Sequence, residues 1–280
     1  MSITRNEFLK ALGLSATMTA ISGFSSQPES KIYPTKTSAT LKLGLTSYTL
    51  RKFSLDDVIK ISLRLGLSSV ALKSMHLPLE SPANEIKKMA DKIRTAGLAL
   101  YGAGVIYMKN AKEVESAFNY ASYAGLEMII GVPNHDLLPL VNEQVKKHNI
   151  KLAIHNHGPG DDLYASPSDV YAKIKDLDNR IGLCIDIGHV KRIGQDPVAM
   201  IQKYKDRLYD MHIKDVNKAE ADGASVEVGR GIIDIPNVIK ALKKINYQGC
   251  VGFEYEKDGD DPVPGLAESV GYVRGIIKMA

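Results

Sequence analysis

The sequence predicts a single-domain α/β protein with the (β/α)8 TIM barrel fold. Extended and helical patterns alternate eight times between residues 41 and 280. The chain has 280 residues, of which 44% are hydrophobic, and one such barrel needs about 250 residues. No Gly-x-Gly-x-x-Gly turn follows the first predicted strand, which argues against the alternative of an open, dinucleotide-binding sheet. We therefore expect a closed parallel barrel.

Eight short apolar runs are the predicted strands, at 42–49, 69–74, 98–106, 127–132, 151–157, 181–188, 208–214 and 249–256. Helix-length segments lie between them, and several begin with a capping residue such as Ser54, Ser166 or Asp196. Glycine can take the left-handed conformation that ends a helix, and it follows the first three helical segments at Gly66, Gly97 and Gly125. These short connections between strand and helix favour a parallel sheet.

The N-terminal region differs in composition from the barrel that we predict at 41–280. Residues 1–24 are predicted to be an export signal, with Phe8-Leu9-Lys10 similar to the twin-arginine type, although Asn6 replaces its second arginine. Residues 25–40 are rich in Ser, Thr, Pro and Lys, which indicates a disordered tether. An ordinary amphipathic helix is the alternative for the first segment. We expect an exported, periplasmic protein without a stable membrane span.

Charge and cysteine content restrict the partners of the protein. The formal net charge is +4, and the basic residues are scattered over predicted helices, so we expect no nucleic-acid partner. Cys184 and Cys250 both fall inside predicted strands, where a loop-stapling disulfide is not expected. A small-molecule partner remains, and the sequence leaves open whether the chain forms a homo-oligomer.

Four strands in the second half of the chain end in residue types that bind metals. Residues two apart in a strand share a face, and barrels of this class carry their chemistry at the carboxyl ends of the strands. One inward ligand is then available from each of these strands, namely His155, Asp186, His212 and Glu254. Two imidazoles and two carboxylates suit one Mn, Co, Zn, Fe or Ni ion better than Ca. The sequence therefore predicts a site for one divalent metal ion.

Further polar residues are predicted at the same rim. Lys214 shares the face of His212, although an ion pair with Asp215 or Glu256 is the alternative role. After the second strand, Lys73 could neutralise an enolate and His76 could bind a substrate hydroxyl, or both could serve the loop alone.

Arg230 lies between two glycines and is a candidate clamp for substrate, with simple loop exposure as the alternative. His157 and His189 lie close in sequence to the candidate metal ligands His155 and Asp186, and this proximity favours a functional role over a structural one.

The chain resembles the xylose isomerase-like TIM barrel superfamily of sugar phosphate isomerases and epimerases. The resemblance covers about residues 41–278 and is carried by the segments 184–189 (CIDIGH), 212–215 (HIKD), 227–234 (EVGRGIID) and 247–249 (YQG) leading to Glu254. It implies that Asp186, His212 and Glu254 are metal ligands, that Glu254 can double as a base, and that His189 contacts a substrate oxygen.

One departure from the family pattern bears on the reaction. The fifth strand of the family usually ends Glu-Asn-His, whereas this chain has His155-Asn156-His157. Epimerases of the superfamily use two metal-bound glutamates, and here only Glu254 remains. We expect a metal-dependent enzyme that removes a proton next to a keto-sugar carbonyl, as a sugar isomerase or epimerase or as a 3-keto-glycoside lyase. Glu254, His157 and Lys214 are the candidates for the base.

Two other functions are compatible with a barrel of this kind. Related apurinic endonucleases share an arrangement like that of Asp186 and His189, but their zinc cluster needs ligands that the third and fourth strands here do not offer. A metal phosphodiesterase is therefore the weaker alternative. A noncatalytic sugar-binding barrel is the other, although four converging metal-type ligands favour an enzyme.

Overall fold

The computed structural model describes residues 41–279, and the predicted export signal and tether lie outside these residues. Eight parallel strands form a closed barrel, as the sequence predicts. Each strand pairs with the next, and the last pairs with the first. The strands are β1 (Lys42–Thr46), β2 (Ser69–Leu72), β3 (Ala99–Met108), β4 (Met128–Pro133), β5 (Lys151–His155), β6 (Ile181–Asp186), β7 (Leu208–Ile213) and β8 (Cys250–Phe253).

Helices follow the strands in the alternation that the sequence predicts. The α-helices are α1 (Leu55–Arg64), α2 (Ala83–Thr95), α3 (Ala111–Tyr123), α4 (Leu138–His148), α5 (Pro167–Ile174), α6 (Ile187–Arg192), α7 (Pro197–Lys203), α8 (Ile235–Lys244) and α9 (Val263–Met279). Short 3-10 helices span Ser47–Leu50, His135–Leu137 and Lys205–Arg207. A two-stranded antiparallel ribbon pairs Asp215–Val216 with Ser225–Val226 after β7.

Capping residues begin several helices where the sequence predicts them. Ser54 accepts a hydrogen bond from the backbone of Asp57 at the start of α1, and Ser166 does the same for Asp169 at α5. Asp196 caps α7. The glycines after the first three helices all have positive φ, with values of 63° at Gly66, 94° at Gly97 and 60° at Gly125. Left-handed glycines therefore end these helices before the next strand.

Six of the eight strands end slightly earlier than the sequence patterns predict, whereas β3 and β4 end one or two residues later. β5 ends at His155, β6 at Asp186 and β8 at Phe253. The polar tips therefore lie at or just beyond the carboxyl ends of the strands, above a core of buried aliphatic side chains. Cys184 and Cys250 are both free and buried. Within residues 41–279, none of the helices combines the length and the apolar character needed to cross a membrane.

Candidate active site

Four buried side chains from four strands converge at the carboxyl end of the barrel. They are His155, Asp186, His212 and Glu254, and one ligand atom from each lies within 4.8 Å of the other three. His212 Nδ1 is 3.1 Å from His155 Nε2 and 3.2 Å from Glu254 Oε2. We call these four residues the ligand cluster. The cluster brings together the four residues that the sequence predicts as metal ligands.

The two carboxylate oxygens of Asp186 have different contacts. Its Oδ1 accepts a hydrogen bond of 2.9 Å from the backbone N–H of His189 and thereby caps α6. Its Oδ2 is buried, lies 3.6 Å from His155 Nε2 and has no hydrogen-bond partner among residues 41–279. The ammonium of Lys214 lies 3.0 Å from this oxygen and balances its charge. The oxygen still lacks a hydrogen bond within the described part of the chain, and two imidazoles and two carboxylates whose ligand atoms lie within 4.8 Å of one another fit a divalent metal ion.

Lys214 lies between the carboxylates of the site. Its Nζ is 3.0 Å from Asp186 Oδ2, 3.0 Å from Glu254 Oε2 and 3.0 Å from Glu256 Oε1. Burial by itself lowers the pKa of Lys214, but these three carboxylates outweigh burial and raise it well above its ordinary value. The contact with Asp186 is an ion pair without hydrogen-bond geometry. A charged ammonium therefore contacts two of the groups that would bind the metal.

Two ring contacts connect three histidines of the site. The ring centroids of His155 and His157 are 4.5 Å apart, and those of His157 and His189 are 5.9 Å apart. Burial is the main cause that lowers the pKa of His155 to about 3, of His157 to about 4 and of His189 to about 3. All three are therefore neutral near pH 7, which is the form that binds a metal or accepts a proton.

Asp210 is a member of the site that the sequence analysis missed. It is fully buried in β7, its Oδ2 is 3.5 Å from His212 Nε2, and the thiol of Cys184 donates to the same oxygen at 3.4 Å. Its sequence signal is its position two residues before His212, which places both on the inward face. Because its carboxylate faces the ring nitrogen that points away from the cluster, Asp210 orients His212.

Asn156 holds the ends of β5 and β6 together. Its amide nitrogen donates to the carbonyl of Asp186 at 3.3 Å, and its amide oxygen accepts from the N–H of Asp186 at 3.1 Å. The two bonds fix the backbone of one ligand against the strand that carries another.

The predicted rim residues occupy different environments. Lys73 donates to the carbonyl of Val105 at 3.1 Å and lies near the carboxylates of the site. Both ring nitrogens of His76 are engaged, Nδ1 with Ser47 Oγ at 2.9 Å and Nε2 with two backbone carbonyls of the segment between β1 and α1. Arg230 is exposed and binds Glu268 at 2.7 Å. The contacts of His76 and Arg230 are therefore outside the ligand cluster.

Asp215 binds the backbone of the loop 227–234 and does not form the ion pair with Lys214 that was the alternative. Its buried carboxylate accepts hydrogen bonds from four backbone N–H groups, those of Val216, Gly229, Gly231 and Ile233, at 2.9–3.1 Å. At the start of the loop, Glu227 accepts from Tyr255 and Lys257, each at 2.9 Å. The loop is thus tied both to the end of β7 and to the segment after β8.

Tyr107 is a second residue whose place the sequence did not indicate. It lies near the carboxyl end of β3 and is 46% exposed. Its hydroxyl is 3.0 Å from His157 Nε2, and the two rings are stacked with centroids 5.6 Å apart. A tyrosine on β3 therefore meets the histidine that follows β5.

Comparison with known proteins agrees with this fold. Curated relatives include an inosose dehydratase from Clostridium perfringens, 27% identical over 144 residues (45% of this chain and 46% of the relative), and the rhizopine catabolism protein MocC from Rhizobium meliloti, 26% identical over 153 residues (49% and 46%). The chain thus spans about half the length of the curated relatives it matches.

Solved structures cover the barrel more completely. The 3-keto-D-glucoside 4-epimerase YcjR from E. coli has a TM-score of 0.69 at 16% identity, covering 84% of this chain and 99% of that one. The IolI protein with a bound zinc atom has a TM-score of 0.74 at 15% identity, covering 85% and 99%. The family model described as xylose isomerase-like TIM barrel matches residues 136–276, which is half of the chain and contains the whole ligand cluster. The chain belongs to the xylose isomerase-like TIM barrel family.

Proposed function

We propose that this protein is a divalent-metal-dependent enzyme that acts on a keto-sugar as a 3-keto-glycoside lyase. It would remove the proton on C2, next to the C3 carbonyl, and release the group bound to C1. The observation that carries the proposal is the convergence of His155, Asp186, His212 and Glu254. The inosose dehydratase and the 3-keto-D-glucoside 4-epimerase among its relatives support a polyhydroxylated ketone as the substrate class.

The residues of the site divide the work of proton removal. A divalent ion held by the ligand cluster would polarise the carbonyl and stabilise the charge that develops on its oxygen. Glu254 supplies the base. Burial raises the pKa of Glu254, but Lys214 and His212 outweigh burial and hold it well below its ordinary value, so the carboxylate stays ionised. Lys214 keeps Glu254 in place through its 3.0 Å contact.

Elimination fits this donor set better than two-carboxylate epimerisation. His155 stands where the family usually has a glutamate, and its pKa of about 3 leaves it a neutral ligand. Glu254 is therefore the one carboxylate of the family pair that this chain retains. Elimination needs a single base at the carbon that loses its proton. An export signal in residues 1–24 would place the enzyme in the periplasm, where glycosides are accessible substrates.

Turnover by metal-free and metal-loaded protein tests the proposal. The purified protein would be treated with a chelator, reloaded with Mn²⁺, Co²⁺ or Zn²⁺, and incubated with methyl 3-keto-β-glucoside or with a free ketose. We expect metal-dependent formation of the unsaturated ketone and methanol. Absorbance would detect the ketone, and NMR would detect both products. Conversion of the free ketose alone would show that the protein is an isomerase and not a lyase. No turnover of either compound with any metal would exclude both reactions.

Elemental analysis separates metal binding from activity. We expect about one equivalent of bound metal in the wild type and its loss in Asp186→Ala and His212→Ala. Because Asp186→Ala also removes the cap of α6, His212→Ala is the cleaner variant. His148→Gln, which changes a histidine at the end of α4, is the matched control and should keep its metal. No metal in any form after incubation with Mn²⁺ or Zn²⁺ would favour a noncatalytic sugar-binding barrel.

A further inference from the structure

We propose that Tyr107 is the general acid that protonates the departing oxygen, an inference that rests on the proposed lyase function. Tyr107 is not part of the ligand cluster, and the proton removal by Glu254 does not use it. Its hydroxyl lies beside His157 at the carboxyl end of the barrel, where the ligand cluster also lies.

The position of Tyr107 separates it from the base. Tyr107 lies on β3 and Glu254 follows β8, and in the closed barrel β1 and β2 stand between these two strands. Acid and base therefore approach the mouth of the site from different sides. This placement suits an elimination in which two residues act, the base on C2 and the acid on the oxygen attached to C1.

His157 and Asp161 lie behind the phenol of Tyr107. Tyr107 Oη is 3.0 Å from His157 Nε2, and His157 Nδ1 is 3.4 Å from Asp161 Oδ2. Asp161 is itself fixed, because its Oδ1 accepts from the backbone N–H groups of Leu163 and Tyr164 at 2.8 Å and 2.6 Å. His157 therefore positions the hydroxyl, while its Nδ1 faces the carboxylate of Asp161 without forming a hydrogen bond among residues 41–279.

The environment of Tyr107 keeps the phenol protonated. Burial, followed by the carboxylates of Asp161 and Glu254, raises the pKa of Tyr107 above its ordinary value. The side chain is nevertheless 46% exposed, so a substrate can reach it. A neutral, accessible O–H group is what a general acid requires.

The cationic side chains that were candidates for the site already have partners. Lys214 contacts three carboxylates. Lys73 donates to the carbonyl of Val105. Arg230 is paired with Glu268 at the surface. Tyr107 differs from these three side chains. Its phenol is exposed, and its O–H can rotate away from His157 toward a substrate.

The step balances without an oxidant or a reductant. Glu254 takes the proton from C2, and the electron pair of that C–H bond becomes the C1=C2 double bond as the C1–O bond breaks. The departing oxygen keeps the electron pair of the broken bond and takes the proton of Tyr107, so the alcohol leaves neutral. Solvent then returns a proton to the Tyr107 phenolate and removes one from Glu254.

The dependence of the rate on the leaving group tests the role of Tyr107. Wild type, Tyr107→Phe and the control Tyr123→Phe, which alters a 50% exposed tyrosine at the end of α3, would be compared on methyl and on 4-nitrophenyl 3-keto-glucoside. A nitrophenolate departs without a proton, whereas a methoxide does not. We expect Tyr107→Phe to lose about 10²-fold or more on the methyl glycoside and little on the nitrophenyl glycoside.

Two further measurements separate an acid from a binding residue. Bound metal and the affinity for a 3-keto C-glycoside, which cannot eliminate, should be unchanged in Tyr107→Phe. Equal losses on both substrates, or weaker binding of the C-glycoside, would show that Tyr107 binds sugar and would overturn the inference. Unchanged rates would overturn it as well. Failure of the wild type on both substrates would instead refute the lyase function itself.

Discussion

The ammonium of Lys214 lies 3.0 Å from Glu254 Oε2, and both groups are buried. The same ammonium is 3.0 Å from Asp186 Oδ2. The carboxylates of two candidate metal ligands thus contact the same lysine ammonium. Lys214 and a metal ion both neutralise this pair, and the first prediction follows from that relationship.

Replacing Lys214 by methionine leaves buried carboxylates without their cation. We expect Lys214→Met to lower the free energy of unfolding of the metal-free protein by about 3–5 kcal/mol. Added Mn²⁺ should then stabilise the variant more than it stabilises the wild type, because the metal becomes the main cation of the cluster. Thermal unfolding with chelator and with Mn²⁺ measures both effects. Lys218→Met is the control, since Lys218 forms an exposed pair with Asp222 and its loss should change stability little.

Asp210 should affect metal affinity without binding the metal. Its carboxylate faces His212 Nε2 at 3.5 Å, so Asp210→Asn removes the charge that orients this ligand. We expect the metal affinity to fall by about 10–100-fold, as measured by competition with a chromogenic chelator. Cys184→Ala, which removes the other contact of Asp210, should have a smaller effect. An unchanged affinity in Asp210→Asn would show that the barrel wall alone orients His212.

The variant His155→Glu restores the carboxylate that the family usually carries on its fifth strand. We expect it to keep its metal, because glutamate is also a ligand, and to gain a second base beside the substrate. Epimerisation of a 3-keto-glycoside in D₂O, detected by NMR, is the expected new activity. His155→Ala, which offers no ligand, should bind metal more weakly than either form. If His155→Glu failed to bind metal, the assignment of His155 as a ligand would be wrong.

The ion pair of Glu227 predicts a loss of stability in acid. Lys257, together with backbone and Tyr255 hydrogen bonds, lowers the pKa of Glu227 from 4.5 to about 2. A lowered folded-state pKa gives stability that is present above pH 4.5 and lost as the pH falls toward 2. The difference in melting temperature between wild type and Glu227→Gln should therefore shrink from about pH 6 to about pH 3. A difference that stays constant with pH would assign the effect to packing.

The sequence predicted the ligand cluster from the strands of the barrel. Short apolar runs mark the strands, and the period of two within each run identifies which residue at the strand end points inward. His155, Asp186 and His212 each lie at or near the end of a strand, so this one periodicity placed them all. Asp210 also has the inward parity of its strand, but it lies further from the strand end, where the sequence gave no reason to expect a functional residue.

The contacts of loops and of distant strands were not predictable from the sequence. The contact between Tyr107 and His157 joins residues 50 positions apart and depends on how the barrel closes. Loop residues follow no period, so the sequence could not show that His76 turns to Ser47 and two carbonyls, or that Arg230 turns to Glu268. Capping and strand parity are local properties, whereas these contacts are set by tertiary packing.

The anchoring of the loop 227–234 by Asp215 has a consequence for enzyme redesign. A Cβ at Gly231 would overlap the carboxylate of Asp215, and Gly229 has a φ of 100° and faces the ring of Tyr272. Neither position accepts a side chain. Arg230 and Ile232 alternate with these glycines, and both side chains are exposed. Libraries that vary 230 and 232 while keeping both glycines would change the chemistry of this surface without disturbing its backbone.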